Sequence, residues 1–221
     1  MNKAIKMVLS LTAMLAAGCS EGTVGPKAPS IKDSTIPGGG ATAALTQGDT
    51  LHSTFVIDPS RTVSYPLGAG NSIVFPAGSL CDPDHSTYGL GEWDNACEVA
   101  SSPVTVETKA WLDDLGYAHV DFSRHVRFVP TDDPAGWVML SLDAYGADVN
   151  LWTKMVYCQT ELLSSCSDES IADPTVATLT NPVTGRLTRR VKHFSGYSLT
   201  SGRDDMETSF SKVGTAATAK P

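Results

Sequence analysis

The chain is short of charge, of aromatic side chains and of long apolar runs. Charged residues make up 18% and aromatics 7% of its 221 residues. Lys and Arg number 16 against 24 Asp and Glu, for a net charge of −8. Such a chain offers no broad basic face to neutralise phosphates, so nucleic acid is not an expected partner. The longest weakly polar to apolar run, Met7 to Ala17, spans 11 residues. A helix needs about 20 to cross a bilayer. G-x-S-x-G, G-x-x-x-x-G-K-[ST] and H-E-x-x-H are absent. Serine-hydrolase, P-loop and zinc-protease readings therefore lose their sequence support. His52, His85, His119 and His125 are scattered, without a close pair that carries an obvious third ligand. They read as surface or hydrogen-bonded histidines, and no cofactor is expected.

What is present begins at the N-terminus. Lys3 and Lys6 precede the Met7–Ala17 run, and the run closes on Leu15-Ala16-Ala17-Gly18-Cys19. A short basic region, an apolar core and small residues describe a secretory signal peptide, assigned to 1–18. The small residues before Cys19 resemble the bacterial lipobox. That resemblance implies cleavage before Cys19, diacylation of its thiol and anchoring in the cell envelope, because two or more acyl chains hold where one does not. Ser20, a non-acidic residue after the Cys, implies outer-membrane delivery by the same resemblance. The membrane is thus one expected partner, reached through the lipid.

Residues 19–50 read as a flexible linker, with Gly25-Pro26, Pro29, Pro37 and Gly38-Gly39-Gly40 and no periodic apolar pattern. Residues 51–200 read as one domain. Alternating runs recur there at Thr62–Tyr65, Ser72–Phe75, Val104–Trp111, Tyr117–Phe122, Val126–Val129, Trp137–Leu142, Leu151–Cys158, Thr175–Leu179, Leu187–Phe194 and Tyr197–Thr200. Period two with β-branched and aromatic enrichment predicts strands, and many short strands predict an all-β antiparallel sandwich or barrel. Asp113-Asp114-Leu115-Gly116 predicts a hairpin turn. Only 161–172 suggests a helical turn. Residues 201–221 are polar, small and without a packing face, and are expected to form a disordered tail.

Besides Cys19 there are Cys81, Cys97, Cys158 and Cys166. An even number in an exported chain predicts disulfides. Four cysteines allow three pairings, and sequence leaves them open. The local pairs Cys81–Cys97 and Cys158–Cys166 are the ones expected, each stapling a polar loop. A four-cysteine zinc site is disfavoured, since it wants spacings such as C-x₂₋₄-C.

Two stretches resemble the ZU domain of ankyrins, netrin receptors and zonula occludens proteins and its bacterial surface relatives. One is Asn71-Ser72-Ile73-Val74-Phe75-Pro76-Ala77-Gly78-Ser79-Leu80, an apolar strand followed by a Pro-x-Gly turn. The other is Val191-Lys192-His193-Phe194-Ser195-Gly196-Tyr197-Ser198-Leu199, a late strand ending in His-Phe-Ser. Val120-Asp121-Phe122-Ser123 and Val126-Arg127-Phe128 resemble the paired strands between them. The likeness spans roughly residues 60–200, and the Cys81–Cys97 loop is longer than the family pattern. It implies a ZU-like β-sandwich used for interaction or for passing force, with a protein or polysaccharide partner and no catalytic activity. It also implies an alternative. In some ZU-containing proteins His-Phe-Ser is a self-cleavage site, which places His193, Phe194 and Ser195 here. The plainer reading makes Phe194 a core residue, with His193 and Ser195 at a strand end.

Two further candidates come from the residues themselves. Asp82, Asp84, Glu92 and Asp94 lie in the Cys81–Cys97 loop and offer oxygens of the kind Ca²⁺ takes, without the spacing of an EF-hand. The alternative is a solvated, disulfide-closed loop. Trp93, Trp111, Trp137 and Trp152 offer sugar-stacking rings if they share an exposed face; Trp111 and Trp137 lie in alternating strands, where a core position is expected.

Overall fold

The computed structural model describes residues 46–159 and 166–201. The signal peptide, Cys19, most of the linker and the tail beyond 201 lie outside the described residues. Among the described residues there are eleven strands: β1 (Thr50–Ile57), β2 (Val63–Gly68), β3 (Asn71–Phe75), β4 (Val104–Leu112), β5 (Ala118–Phe122), β6 (Val138–Asp143), β7 (Lys154–Cys158), β8 (Cys166–Ser167), β9 (Leu179–Asn181), β10 (Arg186–Val191) and β11 (Gly196–Thr200). They form two sheets, in the orders β1-β4-β5-β11-β7-β8 and β2-β3-β6-β10-β9. Neighbours within each sheet pair antiparallel. The all-β sandwich expected from the alternating runs is the fold observed.

Period-two burial explains the layering. In β4 Val104, Val106, Thr108, Ala110 and Leu112 point inward, and the residues between them are exposed or half-buried. In β6 Val138, Leu140 and Leu142 do the same from the opposite sheet. Their burial against each other removes apolar surface from water at about 25 cal/mol per Å². The β4–β5 hairpin turns at Asp113–Gly116 as expected. Asp113 Oδ1 accepts from the backbone N–H of Leu115 at 2.9 Å and of Tyr117 at 2.8 Å. Gly116 sits at φ +84°, a region open to glycine and strained for most other residues.

Several boundaries differ from the sequence expectation. The first strand starts at Thr50, one residue before the expected domain start, and pairs along its length with β4. Val126–Val129 is not a ladder strand. Phe128 N–H donates to Lys192 O, Val129 N–H to Ser79 O, and Val126 O accepts from Phe194 N–H. The segment alternates between two neighbours and leaves only isolated bridges, Leu80↔Phe128 and Arg127↔His193. Thr175–Leu179 is not a strand either. Pro174 opens a 3₁₀ turn capped by the Asp173 side chain, and β9 begins only at Leu179. Proline lacks the N–H a ladder needs and presets the turn's φ. The strand expected to run to Phe194 stops at Val191, where the chain crosses between sheets. Of the region 161–172 expected to hold a helical turn, 161–165 lie outside the described residues, and the remainder holds a 3₁₀ turn at Glu169–Ile171.

Both local disulfides are present, Cys81–Cys97 and Cys158–Cys166. The second joins residues already paired across β7 and β8. The first closes a long loop over the connection between β10 and β11.

Candidate functional site

The connection from β10 to β11 carries Lys192-His193-Phe194-Ser195 from one sheet to the other. Phe194 is fully buried. Its ring meets Phe122, Phe128 and Phe75 at centroid distances of 4.7, 5.1 and 5.7 Å. These spacings suit tilted and edge-on aromatic packing, and they pin the crossing at the centre of the sandwich. Gly196 follows because a Cβ there would lie 3.0 Å from the carbonyl oxygen of Cys158.

His193 is fully buried beside it. Its Nε2 lies 3.1 Å from Glu169 Oε1, and its Nδ1 lies 3.4 Å from the Phe194 carbonyl oxygen. Arg189 Nη2 donates to the other Glu169 oxygen at 2.6 Å. Arg189 occupies an inward position of β10 between Leu187 and Val191. A buried guanidinium requires a paired anion; Glu169 supplies it to Nη2, the Met155 carbonyl accepts from Nη1, and Nε is left without a hydrogen-bond partner. The Tyr197 hydroxyl donates to His193 O at 2.8 Å, and burial pushes its pKa well up.

The Cys81–Cys97 loop covers this crossing. Arg127 is buried, and its guanidinium donates to the carbonyls of Glu92, Asn95 and Ala96. That grip lays Trp93 flat on the His193 ring, with centroids 3.9 Å apart and planes 24° apart. Tyr88, from the same loop, donates its O–H to the Phe194 carbonyl and lies 3.0 Å from Ser195 Oγ. Burial pushes the Tyr88 phenol up to about 12, so it stays a hydrogen-bond donor at neutral pH. His125 stacks on the outer face of Tyr88 at 4.7 Å.

The His193, Phe194 and Ser195 triplet thus becomes a connected centre, with Tyr88 rather than His193 against the serine hydroxyl. The four loop carboxylates are not drawn together. Asp82 accepts from Asp84 N–H at 2.8 Å and pairs with His85 at 3.3 Å. Glu92 accepts from Thr87 and Asn95, and Asp94 pairs with Lys192 at 2.5 Å. Among the described residues no group of three or more His, Cys, Asp or Glu is arranged to hold a metal ion. The tryptophans do not share one face. Trp152 is exposed on the β6–β7 loop. Trp111 is half-buried on the outward side of β4, not in the core, and stacks on His119. Trp137 is also half-buried, beneath the Arg190 guanidinium at 4.6 Å.

Tyr88, Arg127, Glu169 and Arg189 were not singled out from sequence. Arg189 alone carried a local signal, a charge in the inward register of an alternating strand. No protein family, curated protein or solved structure matches the chain.

Proposed function

We propose that the protein is an exported, lipid-anchored component of the cell envelope, placed at the outer membrane, whose ZU-like sandwich is an interaction or structural module. The observation that carries this reading is the build of the β10–β11 crossing. Its residues are tied into both sheets and roofed by a disulfide-closed loop, a design that transmits load and presents a rigid surface. The lipobox-like sequence at Cys19 and the two disulfides support an oxidising, membrane-proximal address. The test is intact mass of the protein purified from membranes, before and after reduction. The expected result is one species beginning at acylated Cys19, about 4 Da lighter before reduction because each disulfide lacks two hydrogens. A non-acylated N-terminus overturns the anchor.

A second reading is favoured by one contact, the Tyr88 O–H on the Phe194 carbonyl beside Ser195 Oγ. In it Ser195 Oγ attacks the Phe194 carbonyl carbon, the C–N bond breaks, and the hydroxyl proton ends on the Ser195 amine. Water then hydrolyses the ester to a Phe194 carboxylate. The same mass measurement separates the readings. Cleavage yields the 27-residue fragment Ser195–Pro221, and Ser195→Ala abolishes it; an intact chain sinks it.

A further inference from the structure

The outer face of the second sheet carries a pocket of about 490 Å³. This lies within the ~300–1,000 Å³ of small-ligand sites. Arg190, in β10, and Lys192, one residue past its end, form its floor. Asp94, Asp132 and Asp173 stand around them, with Thr131 and Thr175 between.

Arg190 is a built element of the pocket. It is 8% exposed, lies over the Trp137 ring at 4.6 Å, and donates to Thr175 Oγ1 at 3.0 Å and to Thr131 O at 2.9 Å. Among the described residues no carboxylate is within ion-pair distance of it. Its fork is held rigid, with N–H groups left over for a ligand. Lys192 is different: it is shared by Asp94 and Asp173, each 2.5 Å away. One ammonium between two carboxylates does not use all their oxygen lone pairs, and both carboxylates line the pocket. Beside the pocket lies a narrow crevice lined by Trp93 and Trp137, which shares Arg190 and Lys192 with it.

The pattern of charges selects the ligand. Three carboxylates against two cations repel an anion at the rim, and a cation meets Arg190 and Lys192 at the floor. An uncharged group that both donates and accepts satisfies donors and acceptors alike. Vicinal hydroxyls do this. The geometry points to a binding site for a neutral saccharide, centred on Arg190, Asp132 and Asp173. It rests on reading the sandwich as a binding module, and is independent of the anchor and of the His-Phe-Ser chemistry.

The test uses the full chain purified from membranes in detergent. Maltohexaose, chitohexaose and hexagalacturonate are titrated by calorimetry and tryptophan fluorescence. The expected result is saturable binding of a neutral hexasaccharide with a change in emission, weakened about tenfold in Asp132→Asn and more in Arg190→Lys. Trp152→Ala, on the exposed β6–β7 loop, leaves it unchanged. Asp132 is exposed, so its variant keeps the claim testable if Arg190→Lys does not fold. The proposal is overturned if neither neutral sugar binds at millimolar concentration, if only hexagalacturonate binds, or if Asp132→Asn binds as tightly as the parent. None of these outcomes alters the mass that reads the anchor.

Discussion

His119 and His193 are both buried, each faces one carboxylate, and each lies against a tryptophan ring. Their assembly is opposite. The partners of His119 come from its own hairpin. Trp111 is its cross-strand neighbour in the β4–β5 ladder, stacked at 5.3 Å, and Asp113 sits in the turn, 3.2 Å away. The partners of His193 come from afar. Glu169 belongs to a 3₁₀ turn 24 residues upstream, and Trp93 belongs to the disulfide loop. A centre built within one hairpin forms whenever the hairpin forms. A centre built from three segments needs the sheets closed, the loop gripped by Arg127 and the disulfide made. The first suits a structural element. The second ties three parts of the fold together and is where loss of any one part is felt.

The largest break in this comparison is Phe194→Ala. It opens a cavity under the His193 centre and is expected to cost about 3–5 kcal/mol. Trp111→Ala, at the half-buried ring beside His119, is expected to cost about 1 kcal/mol. Urea unfolding of the two variants measures the contrast, and equal losses would remove it. Next is the double substitution Cys81→Ser with Cys97→Ser. Freeing a loop of this length is expected to cost about 3 kcal/mol. The ring resonances of His193 should shift as Trp93 lifts away, while those of His119 stay in place. A shift at both rings would show that the two centres are coupled.

The smallest effect is a pH dependence. Burial lowers the His119 pKa from its ordinary 6.5, and Asp113 opposes this only in part. The unfolded chain therefore binds a proton more readily than the fold does. The stabilisation from neutral His119 is full above pH 6.5 and is lost as pH falls from there toward the lower folded value. The slope cannot exceed about 1.4 kcal/mol per pH unit. His85, raised by its bond to Asp82, acts in the opposite sense at the surface. The slope of the parent minus that of His119→Gln isolates the buried ring. A His119→Gln variant with the parent's slope between pH 6.5 and 5 would refute the assignment.

Much of the fold was legible locally. The alternation of β4 and β6, the Asp113–Gly116 turn and the two short-range disulfides all appear where the sequence places them. Each depends on neighbours within a few residues or across one loop. Where local reading failed, a specific competitor won. Pro174 and the Asp173 cap turned an apparent strand into a 3₁₀ turn. Val126–Val129 has strand periodicity, yet its N–H groups are claimed in turn by two different segments. Trp111 alternates as a core residue would, but on the outward side of β4.

The candidate sites were legible only as names. His-Phe-Ser stood out as a triplet, and Asp94 as one acid among several. The sequence by itself pointed to antiparallel β structure, a core place for Phe194 and local pairing of the cysteines. Side-chain alternation, turn residues and short loops are local properties with local free energies. Only the tertiary structure decided that Tyr88 would meet Phe194 across 106 positions of sequence, and that Arg190 and Lys192 would line one pocket with Asp94. Those contacts depend on how two sheets and a loop close on each other, and no spacing in the chain records it.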